Sequence, residues 1–195
     1  MNKFTRGNGL LENFLSKRRS SIANGLIPKK LRNGRILDIG CGTNPFFLKN
    51  TKFNYKYGID KLISNKITNK KFILKKFDIE KEKIPFENNF FDIITLLAVI
   101  EHIKPEKLLN LIKEARRTLK PKGILIITTP SPSADYPLEI MSKLRLVSHE
   151  EIDEHKGYYN KTKIFSLFKK AGFDNKKIKS GHFEFFLNVW AYAIK

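Results

Sequence analysis

Short apolar runs alternate with amphipathic stretches along this chain. Arg35–Ile39 (RILDI), Tyr55–Ile59 (YKYGI), Lys71–Phe77 and Ile124–Thr129 each have glycine, aspartate or lysine at a border, and Phe90–Leu97 (FFDIITLL) lies between Asn89 and Ala98. Runs of this length, apolar on successive positions, read as buried strands of a parallel sheet. Between them, Pro105–Leu119 puts Leu108, Leu111, Ile112, Ala115 and Leu119 on one helical face, and Pro45–Asn50 reads as a short helix. Near the N-terminus, Leu10, Leu11, Phe14, Leu15, Ile22 and Leu26 approximate helical spacing, with Lys17, Arg18 and Arg19 on other faces, and Pro28 ends the pattern. That helix packs on the domain, serves as a lid, or lies on a membrane surface. Toward the C-terminus, Asn160–Ala171 predicts a helix closed by Gly172. Phe173–Ile178 and His182–Ala193 predict two antiparallel strands turning through Ser180-Gly181. The alternation predicts an α/β fold around a Rossmann-like, mostly parallel sheet.

Length adds one constraint: 195 residues suffice for one domain with a full core. The longest apolar runs are too short to span a bilayer, so no stable membrane insertion is expected. Cys41 is the single cysteine, which excludes an intrachain disulfide. With no signal-peptide core after the first basic residues, a cytoplasmic location is expected. The net charge of +19 allows a polyanionic partner. Its lysines are nevertheless dispersed, in separated pairs such as Lys70-Lys71 and Lys176-Lys177. Dispersed, solvated charge is therefore the preferred reading, with a nucleic-acid footprint as the alternative.

The first strand leads into GRILDIGCGTNPFF, residues 34–47. Gly40 and Gly42 bracket Cys41 in a tight turn that lets backbone approach a ligand, with Asp38 beside the opening. Asp60, 22 residues after Asp38, ends the second strand. There a carboxylate either accepts two ribose hydroxyls or caps a helix. Asp78 and Ile79 follow the third strand, where a carboxylate and a backbone N–H can read an adenine edge.

LDIGCGTNPF, YGID, FDI, IPFENNFFDIITLLAVIEHI and RTLKPKGILIITTP occur in the order and spacing of class I S-adenosylmethionine (SAM)-dependent methyltransferases. Over roughly residues 31–130 the chain resembles the small-molecule branch that includes ubiquinone and menaquinone biosynthesis enzymes. The tail also resembles methyltransferases encoded with bacterial surface-glycan genes. The resemblance implies a seven-stranded sheet with helices on both faces and an antiparallel C-terminal strand. It implies SAM as cofactor, with Gly40, Cys41, Gly42 and Asn44 in the cradle for its methionine part and Asp38 orienting the loop. Asp60 would bind the ribose, Asp78 and Ile79 the adenine, and Leu97 and Ala98 would lie along the cofactor. Asn44 stands where the family often has a third glycine, a place where Asn tolerates left-handed geometry. The chain then divides into an N-terminal helical extension (1–30) and a methyltransferase domain (31–195), with an acceptor-site insertion at 130–160.

For the chemistry, His102, His149 and His155 are the candidate bases, each alternatively a structural hydrogen-bonding group. Glu101 reads as a possible helix cap. No spacing matches a metal-ligand motif, so no metal is expected. The expected acceptor is a hydroxyl or carboxyl of a small molecule or glycan. A nucleic-acid methyltransferase or a non-catalytic nucleic-acid-binding module is the alternative. A nicotinamide-dependent oxidoreductase would share the glycine turn, but Pro45 stands where its third glycine should be.

Overall fold

The computed structural model describes residues 11–64, 67–69, 71–134 and 156–195. Its core is an eight-stranded sheet ordered β3-β4-β2-β1-β5-β6-β8-β7. The strands are β1 (Arg35–Ile39), β2 (Tyr55–Asp60), β3 (Ile67–Thr68), β4 (Phe72–Lys76), β5 (Phe91–Leu97), β6 (Leu119–Pro130), β7 (Ile178–Phe183) and β8 (Asn188–Ile194). β4, β2, β1, β5 and β6 are parallel, β8 runs antiparallel between β6 and β7, and two-residue β3 adds an antiparallel edge to β4. Seven strands thus match the expected architecture, and β3 is additional.

Both faces of the sheet are covered, which explains the apolar runs. Ile36, Ile93, Ile124 and Ile126 point toward helix α1 (Glu12–Leu26) and short α2 (Phe46–Asn50), packing with Ala23, Ile27, Phe47 and Leu48. Their neighbours Leu37, Ile39, Ile94, Leu96, Leu125 and Ile127 point the other way. There they meet Leu108, Leu111, Ile112 and Ala115 of α3 (Pro105–Thr118) and Ile164 and Phe168 of α4 (Lys161–Lys170). Asn160 caps α4 by accepting from the Lys163 N–H at 2.9 Å. The last turn of α1 leads through residues 27–34 into the start of β1, so α1 runs back across the sheet, against β5 and β6.

Several boundaries differ from expectation. β6 begins at Leu119, because Phe91 pairs with Leu119 before an excursion through Lys120–Gly123 returns the ladder at Ile93 and Ile124. The crossover after β2 holds β3, with no helix among its described residues. The final hairpin turns at residues 184–187, whereas Ser180 and Gly181 lie inside β7. Gly181 opposes Trp190, and a Cβ there would sit 2.5 Å from the indole. The glycine therefore makes room for an aromatic across the strands instead of turning the chain.

The order of strands fixes where a ligand can enter. From β1 the chain builds outward to β2 and β4, then crosses to the other side of β1 as β5. Crevices of parallel α/β sheets open beyond the carboxyl ends of strands at such a reversal, here β1 and β5.

Candidate active site

Among the described residues, the charged side chains that are fully buried are Asp38, Asp60 and Glu101, at 4%, 4% and 1% exposure. All three lie at that crevice: Asp38 near the end of β1, Asp60 at the end of β2, and Glu101 just beyond β5. Burying a carboxylate is costly unless it is hydrogen-bonded or meets a ligand, so three at one edge mark a site.

Asp38 accepts from the Thr95 hydroxyl of β5 at 2.6 Å. Burial pushes its carboxyl up to about 7, aided by the nearby Asp60 charge and opposed by the Thr95 hydrogen bond. Asp60 clamps the glycine turn, accepting from the Gly42 N–H at 2.9 Å and the Leu62 N–H at 2.8 Å. On the other side of the turn, the Gly40 N–H donates to the Ile59 carbonyl at 2.8 Å.

The two glycines serve different ends. Both are left-handed, with φ +73° and +69°. A Cβ on Gly40 would strike Val99 Cγ2 at 2.5 Å, whereas one on Gly42 would meet nothing within 4 Å. Gly40 is therefore required by packing, and Gly42 borders open space. Gly40→Ala is expected to lower stability by about 2–4 kcal/mol, from left-handed strain plus overpacking. Gly42→Ala carries only the strain, about 1–2 kcal/mol. Thermal melts separate the two, and equal losses would contradict the assignment.

The Cys41 side chain packs with the α1/α2-side core, and Gly58 lacks the Cβ that would collide with its sulfur. Burial, then the Asp38 and Asp60 charges, push its thiol far above the ordinary range, so it is no nucleophile. Asn44 is not left-handed, contrary to the reason given for it from sequence. Its side chain instead accepts from Lys49 Nζ at 2.6 Å, tying the turn to α2. Asp78 is two residues past β4 and accepts from the Glu80 N–H at 3.1 Å, with Ile79 half-buried beside it. Leu97 ends β5, and Ala98 follows at φ +56°, held by its N–H to the Thr128 carbonyl at 2.9 Å. Positive φ at alanine is uncommon and clusters at functional sites.

Sequence reasoning weighed His102 and missed Glu101. Glu101 does not cap α3, whose N-cap is Lys104. Its carboxylate accepts from the Thr129 hydroxyl at 3.0 Å, and its carbonyl accepts from the Lys156 N–H at 2.7 Å. Tyr159 packs on the same side of the sheet, and its phenol is pushed up by burial and by the Glu101 charge. His102 is the next residue, half-buried in the 3-10 turn Ile100–His102. His149 and His155 lie outside the described residues.

The register places Leu97 and Thr128 on the same face as Asp38 and Thr95. There the buried Thr128 hydroxyl has no hydrogen-bond partner. Open space over Gly42, an unsatisfied hydroxyl and a carboxyl ready to ionise fit a ligand that carries polar donors and a positive charge. Among the described residues no His, Cys, Asp and Glu cluster could hold a metal, and no helix is long and apolar enough to cross a membrane.

A methyltransferase-domain family profile matches residues 11–178. An uncharacterised protein of Methanocaldococcus jannaschii is 31% identical over 162 residues, which cover 74% of this chain and 67% of that protein. The demethylmenaquinone methyltransferase of Staphylococcus haemolyticus is 26% identical over 178 residues, covering 75% of this chain and 71% of that enzyme. Among solved structures, a SAM-dependent methyltransferase from Archaeoglobus fulgidus shares the fold. It has a TM-score of 0.68 at 18% identity and covers 94% of both chains.

Proposed function

This chain belongs to the class I SAM-dependent methyltransferases, and from that membership we propose that it methylates a hydroxyl or carboxyl of a small molecule or glycan. The observation that carries the reading is the convergence of Asp38, Asp60 and Glu101, buried, on the crevice edge of one sheet. When bound, SAM supplies an electrophilic methyl group on a sulfonium. The residues fit such a ligand. The turn at Gly42 takes the methionine part, with the Asp38 carboxylate accepting from its ammonium. Asp60 adds ribose hydroxyls to the two backbone donors it already holds, and Asp78 with the Ile79 N–H takes the adenine. Leu97 and Ala98 line the far wall and exclude water from it.

Acceptor chemistry falls to the Glu101 side. His102, adjacent to that buried carboxylate, accepts the proton released by an acceptor hydroxyl, a role otherwise filled by His149 or His155. A general base of this kind typically contributes about 10²–10⁴-fold. His102→Ala is therefore expected to lower kcat by about that factor, with little change in cofactor affinity. An unchanged kcat would remove His102 from the chemistry.

The small-molecule reading is supported by the likeness to the demethylmenaquinone methyltransferase and by the sequence LLAVIEHI after β5. The charge of +19 favours nucleic acid as the second reading. Labelled SAM and a cell extract, separated after reaction into RNA, DNA, protein, lipid and small-molecule or glycan fractions, decide between them. Label in a lipid, small-molecule or glycan fraction supports the proposal. Label confined to RNA or DNA overturns it.

A further inference from the structure

The hairpin joining β7 to β8 has a backbone that its sequence does not favour. Glu184, Phe185 and Phe186 are left-handed in succession, with φ of +52°, +51° and +69°, and none is glycine. Left-handed geometry is unfavourable for any residue with a Cβ, and Asn or Gly is the usual occupant. This hairpin instead holds two phenylalanines, and they project outward: Phe185 is 97% exposed and Phe186 is 68% exposed.

The tip is anchored from below. The Phe186 carbonyl accepts from the Ser131 hydroxyl at 2.7 Å and the Ser133 hydroxyl at 3.1 Å, and the Ser131 N–H donates to the Leu187 carbonyl at 2.9 Å. Asn188 pairs with Pro130, the last residue of β6. The tip therefore stands at the carboxyl edge of the parallel strands, the edge that carries the candidate site.

Cations flank it. Arg18 and Arg19 of α1 lie close enough to Glu184 to oppose the upward push of burial on its carboxyl. On α1, Phe14 is 56% exposed, and Lys17 and Arg18, three and four residues on, are exposed on the same helical face. Phe185 and Phe186, with Arg18 and Arg19 near the adjoining Glu184, form an aromatic patch with a basic border, and Phe14 is exposed on the helix that carries those cations, in a chain of charge +19. Such a patch matches an anionic bilayer surface: aromatic rings enter the headgroup region and the cations meet lipid phosphates.

We propose that the β7–β8 hairpin tip and the exposed face of α1 dock this protein peripherally on an anionic lipid bilayer, with the site edge turned toward the membrane. Docking narrows the methyl acceptor to one borne by that membrane, and in this respect it rests on the function proposed above. Docking itself can be read without any methyl transfer, so the two can fail separately.

The test uses the full chain, sedimented with vesicles of phosphatidylcholine alone or mixed with phosphatidylglycerol. The wild type should partition onto the mixed vesicles and stay in solution with the neutral ones. Because so basic a chain can bind anionic lipid by charge alone, the deciding arm is the double variant Phe185→Asn, Phe186→Asn. Its partitioning should fall roughly tenfold or more, while its melting temperature holds or rises, since Asn suits left-handed backbone. No partitioning of the wild type, or equal partitioning of wild type and variant, would overturn the proposal. So would a wild-type dimer that the variant converts to monomer, because the patch would then be covered by a second copy.

Discussion

Titration with S-adenosylhomocysteine at pH 5 and at pH 8 is expected to give dissociation constants about two orders of magnitude apart, tighter at pH 8. The cause is Asp38, whose carboxyl is pushed up to about 7 by burial and by Asp60. In the ligand-free chain a proton therefore occupies Asp38 below neutrality, and a ligand ammonium must displace it. The ammonium favours only the carboxylate, so binding lowers the carboxyl's pKa and releases a proton. Affinity then rises about tenfold per pH unit up to about pH 7 and levels off above it.

The same shift sets the sign of a stability effect. Because the folded-state value is raised, Asp38's contribution to stability is fully present below the ordinary carboxylate value of 3.8. It is lost as pH rises to about 7. Melts of the ligand-free chain should reflect that loss, and ligand should oppose it at pH 8. A flat affinity profile from pH 5 to 8 would show that no cationic group meets Asp38.

Asp60→Ala is expected to weaken binding of the same ligand by about 1.5–3 kcal/mol, roughly 10- to 150-fold. The geometry supports the upper half of that range. Asp60 is the acceptor for both the Gly42 and Leu62 N–H groups, so its loss frees the glycine turn as well as removing a ribose partner. Ala fits the space without strain, and the variant should fold. Calorimetry on folded wild type and variant checks this, and equal affinities would reduce Asp60 to a clamp on the turn.

The proposed cofactor half of the site was legible because it is local. Asp38, Gly40 and Gly42 fall within five residues, and Asp60 ends the adjacent strand, so strand ends and glycine spacing located them. Even there, sequence did not separate Gly40, which Val99 excludes from bearing a Cβ, from Gly42, which borders open space. The proposed acceptor half was less legible, because it is assembled across the sheet. Glu101 becomes a buried, hydrogen-bonded carboxylate only when Thr129, 28 residues later, is brought beside it by β6. The hairpin was misplaced for a related reason. Gly181 reads locally as a turn residue, but its partner is Trp190 on the neighbouring strand. The true turn, at Glu184–Phe186, uses residues that carry no turn signal at all. The expected acceptor insertion falls largely on residues outside those described.

In the function proposed here, the crevice at β1 and β5 holds the cofactor through Asp38, Gly42, Asp60 and Asp78. A crystal structure of the chain with S-adenosylhomocysteine tests it most directly. The homocysteine part is expected against Gly42 with its amino group on Asp38, the ribose on Asp60, and the adenine at Asp78 and Ile79. Ligand bound elsewhere, or a crevice without ligand in a crystal grown at saturating concentration, would contradict it.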